Sequence, residues 1–351
     1  MSRSYRIAAL PGEGIGPEVV DAALTILQEV AKLHGFSVAI AHGLIGEPAM
    51  QTFGSYFPDA TARLCDGTDG IVFGAVSKGG LLELRKHFDF FANLRPVRPS
   101  PSLFSASPLK PELLQEVDIL FVRELVSGIY FGPSGRSRDQ QGNYGYHTMR
   151  YYDHEIRRIA KVALEKASAR KQVLTVAHKE NALPCLSWVQ LVCDEARAFP
   201  GVQIEPMLVD NLAMQMVRHP QRFDVVLAGN LFGDILSDIG GALVGSIGML
   251  GSASLNAQGF GMYEAIHGTA PDIAQKGIAN PFGTLAGIVL MLEQWGELKA
   301  AHTIMETQER VLVKGYRTAD LCSEKSQWRD RSVSTQMIVD IFCQELAVRV
   351  T

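Results

Sequence analysis

The sequence predicts an α/β protein, and three observations carry that expectation. Short apolar runs alternate with longer amphipathic segments, as strands feeding helices do. Glycine-rich turns separate them, with 33 glycines in 351 residues. That length exceeds what one small core needs and suits two lobes.

Taken in chain order, YRIAAL (5–10) reads as a buried strand and PEVVDAALTILQEVAKLHG (17–35) as the helix after it. Pro17 suits a first helical turn, where a missing N–H loses no partner, and Gly35 suits a stop. FSVAIAHG (36–43), GIVFGAV (70–76) and EVDILFVREL (116–125) are further strands, the last followed by a glycine-rich turn. HEIRRIAKVALEKASARKQ (154–172) is a helix with Ile156, Ile159, Ala160, Ala163 and Leu164 on its apolar side. VLTVAH (173–178) is a strand that ends at Lys179, and FDVVLAGNLFGD (223–234) repeats the strand–turn–helix pattern. The Pro/Ser-rich RPVRPSPSLFSASPLKP (95–111) is the linker candidate, which places a lobe boundary near residue 98.

Composition narrows the function. A net charge of -4 argues against a nucleic-acid surface, which needs a basic face. No basic run suggests a membrane patch, and the uncharged run TLAGIVLML (284–292) is about half a membrane span. MSRSYRIAALPGEGIG lacks the apolar stretch of a signal peptide. Cys65, Cys185, Cys193, Cys322 and Cys343 are odd in number and lack CxxC spacing, so they read as reduced, buried thiols of a cytoplasmic protein. The nine histidines form no HxxxH pair, which argues against zinc. A cytoplasmic enzyme is the expected class.

GEGIGPE (12–18) nearly matches the dinucleotide fingerprint GxGxxG but has Pro17 at its sixth position. It reads as a tight turn presenting backbone amides at a helix start, not as a Rossmann cradle.

Charge is concentrated elsewhere. In GNLFGDILSD (229–238), Asp234 and Asp238 stack on one helix face, about 5–6 Å apart at Cβ. Two carboxylates ~4 Å apart repel by roughly 4 kcal/mol at an effective dielectric near 20, so a positive partner is expected between them. Either a divalent cation fills that role, or Asp234 caps its helix while Asp238 faces solvent. Arg85, Arg95, Arg123, Lys179 and Asp210 fall where apolar runs end, the edge that lines the crevice of open α/β sheets. Three arginines suit a substrate with two carboxylates, which guanidinium forks bind bidentately. Three aspartates suit Mg²⁺ or Mn²⁺.

Eight blocks then stand in order over nearly the whole chain: GEGIGPE, LLELRKHFDFFANLRP, VRELVSGIYFG, HKENAL, VDNLAMQ, NLFGDILSD, GSIGMLGSASL and HGTAPDIAQKGIANP. In them the sequence resembles the isocitrate/isopropylmalate family of β-decarboxylating dehydrogenases. The resemblance implies two α/β lobes sharing a mixed sheet around a cleft, residues 1–97 plus 247–351 and residues 98–246, and not a Rossmann fold. It implies NAD-dependent, Mg²⁺- or Mn²⁺-dependent oxidative decarboxylation of a 3-substituted malate, with 3-isopropylmalate the first expectation. Arg85, Arg95 and Arg123 would hold the malate carboxylates, and Leu81 and Leu82 would floor the pocket for the 3-substituent. Tyr130 and Lys179 resemble the acid–base pair. Asp234 and Asp238 resemble metal ligands completed by Asp210 from the other chain of a homodimer, and Lys179 and Ala182 would also cross that interface. Asn181 would lie near the nicotinamide, and His267, Gly268, Ala270, Asp272, Ile273 and Asn280 would hold the rest of NAD. Asp272 would accept from the ribose hydroxyls and repel the 2′-phosphate of NADP.

Four departures accompany the match. The segment before Leu81 is shorter than the family usually has, Lys78 replaces a common glutamate, His178 a common aspartate, and Ala182 a valine. A wider side-chain pocket would admit a bulkier 3-alkyl or 3-arylalkyl malate, at about 1–3 kcal/mol of discrimination per methylene. A non-catalytic NAD-binding or assembly relative is the third reading. All eight charged and phenolic site residues are nevertheless in place.

Overall fold

The computed structural model describes residues 3–322 and 331–348. Strand β1 (Arg3–Gly12) feeds helix α1 (Gly16–His34), which returns the chain to β2 (Phe36–His42). Helices α2 (Glu47–Phe53) and α3 (Asp59–Asp66) precede β3 (Gly70–Ala75). Then come α4 (Leu81–His87), β4 (Ala92–Val97), the short α5 (Pro111–Leu114) and β5 (Ile119–Glu124). A hairpin of β6 (Ser134–Asp139) and β7 (Gly142–His147) separates them from α6 (Asp153–Ser168), β8 (Val173–His178) and α7 (Trp188–Ala196). β9 (Gln203–Leu208), α8 (Val209–Arg218), β10 (Val225–Ala228) and α9 (Asn230–Val244) follow. The chain closes with β11 (Gly251–Leu255), β12 (Gly261–Ala265), α10 (Phe282–Gln294), α11 (Leu298–Val313) and α12 (Thr335–Ala347).

Ten strands form one mixed sheet in the order β2-β1-β3-β12-β11-β4-β5-β10-β8-β9. The two flanks are parallel, whereas β12, β11, β4 and β5 pair antiparallel to one another at the centre. A doubly wound dinucleotide fold has no such antiparallel centre, so the expected non-Rossmann architecture stands. GIVFGA of β3 is buried at every position, as a strand covered on both faces must be. The apolar run 284–292 lies inside the buried α10, and no described helix is long and apolar enough to cross a membrane. In β4, period-two alternation turns Arg95 toward one face of the sheet and Leu94 and Pro96 toward the other.

Several expectations are corrected. Arg85 sits on a helix, α4, rather than at a strand end, and Asp210 lies in the first turn of α8 beyond the end of β9. The 154–172 helix stops at Ser168, where the chain turns through Gln172 at φ 62°. The 95–111 segment is no loose linker: Glu309 accepts from Ser100 at 2.6 Å and from Ser102, and Arg317 donates to the Ser102 carbonyl. Cys65 is buried, its thiol pushed up to about 12, but Cys185 and Cys193 are exposed. Most amides of the GEGIG turn are taken within the chain rather than offered to a ligand. The N–H groups of Glu13, Ile15 and Gly16 are taken by the carbonyls of Ala75, Thr269 and Glu13. Gly14 needs its hydrogen there, because a Cβ would lie 2.0 Å from the Thr269 oxygen. The turn therefore fixes the 267–273 loop.

Candidate active site

Arg85, Arg95, Arg123, Tyr130, Asp234, Leu81 and Leu82 line one cavity of about 230 Å³, together with Glu264, His267 and Gly268. Each side chain has a local reason to be there. Gly80 takes φ 102° ahead of α4, and its N–H donates to Glu83 at 2.9 Å. This start puts Leu81 and Leu82 in the first turn and Arg85 one turn on, facing inward. Arg85 Nη2 donates to Glu264 on β12 at 3.1 Å, while its buried Nε has no protein partner. Arg95 Nε donates to Asn93 at 2.8 Å, and its Nη1 to Ser237 at 2.8 Å. Arg123 Nη1 lies 2.6 Å from Asp234 Oδ1, and its Nε and Nη2 both donate to Asn230. Gly233 lets the stem of Arg123 cross α9, since a Cβ there would lie 2.7 Å from its Cγ.

Within one chain, the positive partner of the two aspartates is Arg95. Arg95 reaches Asp234 at 3.4 Å and Asp238 at 3.6 Å, and Arg123 completes the set. Asp234 does not cap α9, which begins at Asn230. Burial pulls Arg123 below the ordinary arginine value, and Arg95 adds to the pull while Asp234 opposes it. Burial raises the half-exposed Asp238 carboxyl, with Asp234 adding and Arg95 countering. Tyr130 donates to Asp234 Oδ2 at 3.2 Å, and burial and that carboxylate hold its phenol above the usual value.

Charge balance tests what this set fits. Three guanidinium groups face the carboxylates of Asp234, Asp238 and Glu264, so the walls are near neutral. A dicarboxylate and a divalent cation entering together keep that balance, whereas either alone would upset it in a low-dielectric site. The donors offered to a cation are hard carboxylate oxygens, suited to Mg²⁺ or Mn²⁺. The unpartnered Arg85 Nε is a donor left over for a carboxylate.

Other expected residues stand elsewhere. Lys179 follows the end of β8 and binds Asp210 at 2.6 Å, which pulls the Asp210 carboxyl down. This pair does not line the arginine cavity, and no cluster of three metal-ligating side chains forms among the described residues of one chain. Asn181 and Ala182 are exposed on the turn after Lys179. His267 Nδ1 contacts the Gly268 carbonyl at 2.9 Å, its Nε2 is buried without a partner, and burial holds the ring below its ordinary value. Ala270 sits at φ 40°, Asp272 is exposed, and Ile273 packs beside Ile15 and Val19. Asn280 is buried and engaged internally, donating to Asp320 at 2.9 Å and accepting from Phe282 N, so it shapes the loop more than it faces outward. Lys78 pairs with Glu47 at 3.4 Å and does not line the cavity. His178 lies 3.9 Å from Glu180.

Sequence reasoning missed Asn93, Asn230, Ser237 and Glu264, all buried and all holding the arginines. For two of them a signal existed: Asn230, Asp234 and Ser237 follow the i, i+4, i+7 stripe of one helix face.

A mixed sheet whose centre is antiparallel, with guanidinium and carboxylate groups gathered at one cavity beside it, is the make of a metabolic dehydrogenase of the β-decarboxylating class. The chain belongs to the isocitrate/isopropylmalate dehydrogenase family, whose sequence model matches residues 6–342. It is 45% identical over 338 residues to the 3-isopropylmalate dehydrogenase of Methylococcus capsulatus, covering 92% of this chain and 94% of the relative. The 3-isopropylmalate dehydrogenase of Aquifex aeolicus is 42% identical over 338 residues, at 92% and 93% coverage. Among solved structures, isocitrate dehydrogenase from Methylococcus capsulatus superposes with a TM-score of 0.88 at 30% identity, covering 97% of this chain and 99% of its own.

Proposed function

We propose that this protein catalyses the NAD-dependent oxidative decarboxylation of 3-isopropylmalate to 4-methyl-2-oxopentanoate, a step of leucine biosynthesis, with Mg²⁺ or Mn²⁺ as cofactor. The observation that carries the reading is the convergence of three buried arginines with Asp234 beside the apolar Leu81 and Leu82. Arg85, Arg95 and Arg123 hold the two malate carboxylates, and the leucines receive the isopropyl group. Asp234 and Asp238 of one subunit and Asp210 of the other hold the metal. When bound, the metal polarises the substrate oxygens and NAD accepts the hydride. Lys179 of the partner subunit takes the C2 hydroxyl proton, and Tyr130 returns a proton to C3 once the carboxylate has left as CO₂. His267, Gly268, Ala270, Asp272, Ile273 and Asn280 form or shape the NAD groove, with Asn181 near the nicotinamide.

The working unit is a homodimer. Two features support it: Asp210 and Lys179 stand apart from Asp234 within one chain, and Ile235, Met214 and Val217 leave apolar surface exposed on α9 and α8. The lobes are residues 1–97 plus 247–351 and residues 98–246, a division supported by the β4–β5 seam of the sheet. The cytoplasm, which keeps thiols reduced, suits the five unpaired cysteines.

A second reading keeps the chemistry and changes the substituent. The short 76–80 connection and the pairing of Lys78 with Glu47 outside the cavity lining favour a bulkier 3-alkyl or 3-arylalkyl malate. NADH formation from 3-isopropylmalate and from 3-benzylmalate, each with Mg²⁺ or Mn²⁺ and with NAD or NADP, tests both. Turnover of neither malate would overturn the function, and a preference for NADP would overturn the role of Asp272.

A further inference from the structure

The sheet carries a second, larger cavity of about 450 Å³ on the face opposite the guanidinium cluster. Strand alternation creates it: Arg95 faces the catalytic side, whereas Leu94 and Pro96 of the same strand face this one. Helix α6 forms one wall and helices α10 and α11 the other, over an apolar floor that includes Leu120, Leu250 and Leu290. The volume lies within the usual range of small-molecule sites.

The charges at this cavity sort into two groups. Arg98 and Arg170 are already bound to Asp118, and Glu309 accepts from Ser100 and Ser102. Lys166 on α6 and Glu293 on α10 are different. Among the described residues neither side chain makes a hydrogen bond or ion pair; burial raises the Glu293 carboxyl, and the positive fields of Arg98 and then Lys166 counter it. They stand on opposite walls and form no ion pair with each other. A smaller extension of about 110 Å³ shares Leu94, Lys166, Leu290 and Glu293 with the main cavity and reaches Tyr263. The Tyr263 side chain is 1% exposed, and its hydroxyl has no partner. A buried hydroxyl left unbonded costs about 1–3 kcal/mol, so this one marks a place where an acceptor is missing.

We propose that this cavity is a binding site for an α-amino acid with an apolar side chain. Its carboxylate meets Lys166 and the Tyr263 hydroxyl, its ammonium group meets Glu293, and its side chain covers Leu94, Leu120 and Leu290. An anionic lipid would bring a like charge against Glu293, and a simple amine would do the same to Lys166. Only a zwitterion satisfies both walls.

Isothermal titration of the full-length protein with L-leucine and L-phenylalanine tests the site, with 4-methylpentanoate and isopentylamine as the two half-charged controls. At least one amino acid should bind saturably, and both controls should bind roughly tenfold more weakly or worse. Lys166→Gln and Glu293→Gln, both at the cavity mouth, should each weaken the amino acid by a similar factor and leave the KM for the malate unchanged. Absence of saturable heat with both amino acids would overturn the proposal. So would binding that both variants retain in full, or that the malate displaces, since either places the ligand outside this cavity.

Discussion

The two charged neighbourhoods of this chain are built on opposite terms. Arg85, Arg95 and Arg123 are 7%, 6% and 2% exposed, and their N–H groups are shared among Asp234, Asn93, Asn230, Ser237 and Glu264. Lys179 and Asp210 hold each other by one 2.6 Å contact, with side chains 28% and 64% exposed. Buried charges need their partners at all times, because desolvation penalises every unpaired moment. Exposed charges are screened and pair with whatever is nearest. The first set is therefore fixed within one chain. In the proposed dimer, the second would be half of a site that another copy completes.

The sharpest way to break this contrast is Asp234→Asn. It removes the carboxylate from two buried guanidinium groups, so it should lower kcat by roughly a thousandfold or more and destabilise by about 2–3 kcal/mol. Steady-state kinetics and urea unfolding read the two effects, and activity within tenfold of the parent would sink the site. Lys179→Met should instead unfold like the parent while losing on the order of a hundred- to ten-thousandfold in kcat. Refolding a mixture of Lys179→Met and Asp234→Asn chains should restore activity, because each mixed dimer keeps one complete site. A mixture as inactive as its parts would rule out sharing.

Smaller effects separate the two neighbourhoods further. Glu124 follows Arg123, and burial pushes its carboxyl up to about 7 from an ordinary 4.5. The folded state then holds a proton that the unfolded chain has released, so stability should fall as pH rises from about 4.5 to about 7, by on the order of 3 kcal/mol at most. Glu124→Gln should flatten that slope in pH-dependent urea melts, and an unchanged slope would show Glu124 ionised in the fold. Gly233→Ala crowds Arg123 and should cost about 1–3 kcal/mol. It should raise KM more than it lowers kcat, since it displaces a binding group.

Much of this was legible in the residues. Periodicity gave β1, α1, β3 and β10 within a few residues, because buried strands and amphipathic helices write their environment into their composition. The carboxylate pair and the arginines could be picked out as charges breaking apolar runs. Glu264 could not, because nothing local distinguishes a buried carboxylate whose partner is 179 residues away, and nothing local marks the Asn93 amide beside Arg95 as buried. Asp210 was misplaced by the same blindness: a charge ending an apolar run looks alike whether a strand continues or a helix begins.

Residue order alone settled the types of β1, α1, β3 and β10, the eight motif blocks and the chemical kinds present at the site, since those depend on neighbours within a turn or a pleat. Which arginine meets which aspartate, that Arg95 stands between Asp234 and Asp238, and that Lys179 pairs with Asp210 outside the Tyr130 cavity were settled by how distant strands close on one another. Contacts across a sheet depend on strand order and register, and those follow from burying the whole core at once rather than from any short stretch of chain.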